Sequence, residues 1–464
     1  MIRTRSIIAL IKEAVVGSQK DYTTLSIRYS LLLLAIPMIL EMVMESLFAL
    51  VDVYFVSKLG TDEVAAVGLT ESMMMIVYSI AIGISMAASA MVARRVGEKD
   101  IGRASMVAGQ VLYIGLGVSS IISVIGLLFA PDFLEMMGAN DHVIQIGTPY
   151  MRWLLGGNVV IVLLFLINAI FRGAGNAQIT MRTLWLANGL NIILDPILIF
   201  GIGPFPALGL EGAAIATTTG RGIGVLYQLY HLFGGKGLLQ VTAKQLQVHW
   251  DIIKRLLNVA LGGTGQFLIS SASWIFLMRI ISEFESEALA GYTIAIRVII
   301  FTILPAWGMS NAASTMVGQN LGAGHPGRAE ATVWKAAFYN VVFLGVVSVL
   351  FFLFSDEIIR QFSKDEKVIQ YGVQCLQVIC FGYMAFAYGM VIGQAFNGAG
   401  DTKTPTKVNF LIFWLIQIPL AYLLALHLGY GPLGVFVAIA VSQALLALTN
   451  ILIFKQGKWK NISI

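Results

Sequence analysis

The sequence predicts an all-α polytopic membrane protein, with twelve transmembrane helices in two parallel, pseudo-two-fold-related six-helix lobes around a central cavity. Three observations predict it. Apolar runs of spanning length recur along the whole chain. Basic residues crowd onto alternate loops. The second half repeats motifs of the first at a fixed offset.

The chain has 464 residues, 58% of them hydrophobic and only 12% charged, about half the charged share of a soluble domain. A spanning helix needs about 20 apolar residues. Twelve runs meet that need, at roughly 29–57, 63–93, 103–130, 142–170, 179–201, 209–233, 252–282, 287–317, 328–354, 368–396, 405–427 and 431–454. Short turns rich in Gly, Pro, Asn and Asp separate them. No small-residue cleavage site precedes the first run, so no secretory signal is expected. Residues 1–25 form a cytoplasmic or interfacial segment, where Arg3, Arg5 and Lys12 accompany Ile7, Ile8, Ile11 and Val15.

With both termini placed in the cytoplasm, the inner segments hold 21 Lys and Arg residues, including Arg3, Arg5 and Lys236, against four outside. By the positive-inside rule this bias orients the chain with both termini in the cytoplasm, and the inner membrane of a prokaryote is the expected location. It also explains the net charge of +5 without a nucleic-acid partner.

The repeat has an offset of 225. "SMAASAMVARRVGEKDIGRA" from Ser85 answers "SNAASTMVGQNLGAGHPGRA" from Ser310. "IQIG" at Ile144 answers "IQYG" at Ile369, and "FRGAGN" at Phe171 answers "FNGAGD" at Phe396. An even-numbered unit enters the membrane twice from the same side, which makes the repeats parallel. The expected lobes are 26–235 and 252–457, joined by a cytoplasmic linker at 236–251 and followed by a tail at 458–464.

Polar residues inside the spans then point to function. Glu41, Glu45, Asp52, Glu71 and Asp195 are carboxylates in apolar segments of the first lobe. Glu41, Glu45 and Asp52 fall within about 40° of one helical face, a stripe that extends a polar path or attracts cationic substrate, unless Glu41 and Glu45 serve only to bind a neighbouring helix. Asn188, Asn191 and Asp195 share a face of span 5, where Pro196 removes a backbone donor and makes the helix bendable. Asn168 and Thr217 add amide and hydroxyl groups. Such a pocket suits a shared proton or a dehydrated monovalent cation. The second lobe has no acid in the equivalent spans; Gln266 and Gln394 are its candidates for the polar path. Cys375 and Cys380 read as core packing. There is no motif for a metal, a cofactor, a nucleotide or covalent catalysis, so the protein is not expected to be an enzyme and its energy source is an ion gradient.

These residues resemble the multidrug and toxic compound extrusion (MATE) transporters over nearly the whole chain. The resemblance is carried by "VDVYFVSKLG" closing span 1, the paired "GRA" and "GAG" loops, and "LNIILDP" in span 5. It is similar to the branch with an acidic pair in the N-lobe, which implies that Asp52 and Asp195 form the ion-coupling site with Asn168, Asn191 and Thr217. It implies an antiporter that exports organic, often cationic or amphipathic, compounds in exchange for H⁺ or Na⁺; small organic substrates and the lipid bilayer are the expected partners of a monomer, and burial beside a second carboxylate makes H⁺ the first choice. Na⁺ at the same five residues is the second choice. A lipid-linked precursor flippase of the same superfamily and a major facilitator-type transporter are the rival readings.

Overall fold

A computed structural model of the chain describes residues 7–17, 20–234 and 237–464. Arg3, Arg5 and Lys236 lie outside the described residues. The chain is helical from end to end, in the order α1 (Ile7–Val16), α2 (Ile27–Val56), α3 (Thr61–Gly97), α4 (Ile101–Met136), α5 (Asp141–Gly156), α6 (Asn158–Gly173), α7 (Ala177–Phe200), α8 (Gly209–Phe233), α9 (Trp250–Ile281), α10 (Ser286–Gly322), α11 (Pro326–Arg360), α12 (Glu366–Phe381) and α13 (Tyr383–Ala399). α14 (Lys403–Asn409) and α15 (Ile418–Tyr422) alternate with wider π-type turns at Phe410–Gln417 and Leu423–His427, and α16 (Pro432–Lys455) is followed by a short 3-10 turn at Lys458–Asn461.

Among the described residues, ten helical stretches are long and apolar enough to cross a membrane, and the bent pair α12–α13 makes eleven. The expected sixth span is α8, a 25-residue helix. Its glycines, its threonines and Arg221 dilute its apolar character, so composition alone does not single it out. Two expected spans are broken. α5 meets α6 at Gly157, and α12 meets α13 at Gly382 with a 58° bend. The two breaks are one repeat length apart.

The residues fall into two compact units. The first takes Leu40–Thr264 with the N-terminal residues up to Lys20, and the second takes Asp21–Ile39 with Gly265–Ile464. α2 and α9 are therefore each divided, at positions related by the 225 offset. Inside the first unit α3 packs on α4, α5 and α6, and α8 packs on α5, α6 and α7. Inside the second, α10 packs on α11, α12 and α13, and α16 packs on α12 and α13. The same packing scheme is thus built twice.

The repeated motifs make the same contacts in both units. A Cβ on Gly173 would sit 2.6 Å from the carbonyl oxygen of Ser89, and one on Gly398 would sit 2.3 Å from that of Ser314. The "GAG" loops and the "AAS" stretches are therefore two sides of one close helix crossing, α6 on α3 and α13 on α10. Only the absence of a side chain permits it. Gly83 and Gly308 do the same, against the backbone nitrogens of Thr264 and Ile39 at 2.4 and 2.8 Å. Helix starts repeat as well. Asn140 accepts from Val143 N–H at the start of α5, and Asp365 accepts from Lys367 and Val368 N–H at the start of α12. Each such cap contributes about 1 kcal/mol.

α1 is a short helix with Ile8, Ile11 and Val16 exposed and Ala14 buried. Arg182 of α7 holds its end, with Nη2 donating to the carbonyls of Val15 (3.1 Å) and Val16 (2.8 Å).

Candidate functional site

The polar residues of the first unit gather where α2, α6, α7 and α8 face one another. The carboxylate stripe of α2 does exist, but its members have different partners.

Glu41 is 1% exposed and fully engaged. Arg172 Nη1 at the end of α6 donates to its Oε1 at 3.0 Å, and Thr180 Oγ1 of α7 donates to its Oε2 at 2.7 Å. One turn on, Glu45 accepts from Asn188 Nδ2 of α7 at 2.8 Å and from Arg221 Nη2 of α8 at 3.4 Å. The Arg221 side chain is 6% exposed and that of Glu45 26%. The guanidinium also lies over the ring of Phe48, 5.6 Å from its centroid. Two turns beyond Glu45, Asp52 is half-buried, and its carboxylate has no hydrogen bond among the described residues. Glu71 of α3 and Arg221 both act on it electrostatically.

Asp195 is 0% exposed. Its neighbour Asn191 satisfies every contact when its amide nitrogen donates to Asp195 Oδ2 at 2.8 Å and its oxygen accepts from Thr217 N–H and Oγ1, both at 3.0 Å. The other carboxylate oxygen, Oδ1, has no partner. Asp195 feels the charge of Asp52. An unpaired buried oxygen costs about 1–3 kcal/mol if nothing fills it. A proton on that oxygen, or a small cation against it, removes the cost. Asn168 is buried in the same unit, where its Oδ1 accepts from Gln228 Nε2 at 2.6 Å. Pro196 lies inside α7, which continues through it to Phe200.

Gln266 and Gln394 belong to the second unit and form a knot of their own. Gln266 Nε2 donates to Asn397 Oδ1 (2.8 Å) and to the carbonyl of Thr402 (3.1 Å). Asn397 Nδ2 donates back to Gln266 Oε1 (3.3 Å) and to Gln394 Oε1 (3.2 Å). This knot is the repeat partner of the Glu41–Arg172 pair: Gln266 and Asn397 each stand 225 positions after Glu41 and Arg172. One unit ties the end of its broken span to its long helix with an ion pair, the other with two amides.

Sequence reasoning placed the acids but missed their cations. Arg172 sits in the "FRGAGN" motif and reads there as a loop charge. Arg221 was visible as a charge inside a span, but no spacing rule links it to Glu45. The offset of 225 was the one available signal for the Glu41–Arg172 pair. Among the described residues, no three His, Cys, Asp or Glu side chains form a metal site.

Comparison with known proteins agrees with this architecture. The MatE family model matches residues 37–197 and 264–423, one segment in each repeat. A relative from Bacillus subtilis named "Probable multidrug resistance protein YoeA" is 26% identical over 439 residues, covering 94% of this chain and 95% of the relative. "Probable multidrug resistance protein NorM" of Thermotoga maritima is 25% identical over 434 residues, covering 94% and 93%. Among solved structures, a crystal structure of MATE in the straight conformation superposes with a TM-score of 0.90 at 26% identity, over 95% of this chain and 98% of that one.

Proposed function

Because the chain belongs to the MatE family, whose members are transporters and not enzymes, we propose that it exports small organic compounds, cationic and amphipathic ones among them, in exchange for protons. The relatives named for multidrug resistance support the substrate class. The proposed exporter works as a monomer in the inner membrane of a prokaryote, with both termini in the cytoplasm and its two six-helix lobes, 26–235 and 252–457, giving alternating access.

The observation that carries the proton is the hydrogen-bond state of Asp195. It has one satisfied oxygen and one bare oxygen, in a fully buried place, beside a second carboxylate. A proton needs one oxygen. Sodium needs several at short range, and the candidates are engaged: Thr217 with Asn191, Asn191 with Asp195, and Asn168 with Gln228. Asp195 feels the charge of Asp52, so the uptake or loss of a proton by one is felt by the other. Protonation removes the repulsion between Asp52 and Asp195, draws α2 and α7 together, and lets α7 bend at Pro196.

The test is export from vesicles by Asp52→Asn and Asp195→Asn. Both variants should insert and fold, and both should lose export. Wild-type rates from either would sink the assignment.

A further inference from the structure

We infer that Arg221 is a mobile internal cation of this site: it sits on Glu45 while Asp52 holds its proton, and crosses Phe48 to Asp52 when the proton leaves. The inference rests on the proposed role of Asp52.

Geometry carries it. Glu45, Phe48 and Asp52 are spaced three and then four residues apart on α2, so they lie in a row on one face. Arg221 stands against the first two members of that row. Its contact with Glu45 is long for a charged pair, at 3.4 Å, where a strong one is about 2.7–2.9 Å. Its guanidinium lies over the Phe48 ring, a surface along which a cation keeps a favourable contact as it slides. Its Nε is buried with no acceptor, while Asp52, within its electrostatic range, has acceptors and no donor. An orphan donor and an orphan acceptor at the two ends of one short row describe a charge with two seats. Glu45 keeps the Asn188 hydrogen bond in either case, so it is never stranded. Arg221 sits one turn after Thr217, which meets Asn191, the residue that donates to Asp195, so α8 is linked to Asp195 through Asn191.

The consequence is a hand-over of charge. With Asp52 protonated, Glu45 and Arg221 neutralise each other and Glu45 is covered. When Asp52 ionises and takes Arg221, Glu45 is uncovered and holds such a substrate. The other charged or titratable groups in range of Asp52 are Glu71 and Tyr78 on α3, Tyr150 on α5 and Asp195 on α7. None of them is a cation, so Arg221 alone supplies the exchange.

The experiment is binding of ethidium, a permanent cation, to the purified full-length protein at acid and alkaline pH, without sodium. The wild type should bind about tenfold more tightly at alkaline pH. Arg221→Ala leaves Glu45 uncovered and should bind tightly at both pH values. Asp52→Asn keeps Arg221 on Glu45 and should bind weakly at both. Glu45→Gln should bind weakly at both, and Arg221→Lys should keep part of the pH response. A wild-type pH response in Arg221→Ala or in Glu45→Gln overturns the inference. If Arg221→Ala does not fold, Glu45→Gln and Arg221→Lys still decide. This readout does not depend on which ion drives transport, so the identity of the driving ion fails or stands separately in vesicle flux.

Discussion

Glu41 and Glu45 are one turn apart on the same helix, yet the structure separates them. Glu41 is buried and spends both oxygens on Arg172 and Thr180. Glu45 is partly exposed and holds a loose arginine. Glutamine at 41 should therefore remove the ion pair with Arg172. Removing one partner of a buried pair costs about 3–5 kcal/mol, so thermal unfolding should shift down and export of every substrate should fall together. Glutamine at 45 should leave the unfolding temperature nearly unchanged and weaken cationic substrates more than neutral ones. A transport panel with one cationic and one neutral compound separates the two outcomes, and equal loss of both compounds in Glu45→Gln would remove its electrostatic role. At the sequence level the two glutamates looked alike, because helical spacing reports which face a residue occupies and not who meets it there. Asp195 stands out in the sequence for another reason: an acid beside Pro196 in an apolar run has few structural explanations.

At the scale of elements, the Glu41–Arg172 pair and the Gln266–Asn397 pair are the same fastening in two chemistries. The second unit shows that two amides suffice. Changing Glu41→Gln and Arg172→Asn together should restore most of the stability lost in Glu41→Gln alone, with export recovering in step. Thermal unfolding of the single and double variants checks this. A double variant no better than the single would mean that the charge itself is needed. α7 carries a second prediction. Pro196→Ala restores a backbone donor and stiffens the helix, so substrate affinity should hold while turnover slows several-fold. Unchanged turnover in a single-substrate flux assay would remove the bending role. The helices were legible in the sequence because lipid demands long apolar runs. Their breaks at Gly157 and Gly382 were not, since each sits inside a run that stays apolar across the break. α8 shows the reverse case: polar residues that build the site lower the very signal by which a span is recognised.

At the scale of the molecule, both acids of the proposed coupling pair, Asp52 and Asp195, lie in the first of the two units. The repeat was readable because its "GAG" and "AAS" motifs are fixed by close glycine contacts that tolerate no side chain. The polar interiors were free to diverge: the Glu41–Arg172 ion pair of one unit stands where the other has the Gln266 and Asn397 amides. The account therefore places coupling entirely in the first unit, through a proton on the Asp52–Asp195 pair. The most direct measurement is substrate efflux from vesicles of the wild-type protein under an imposed pH gradient with sodium rigorously absent. The account predicts efflux that collapses when the gradient is dissipated. Efflux that ignores the pH gradient and requires a sodium gradient would contradict it.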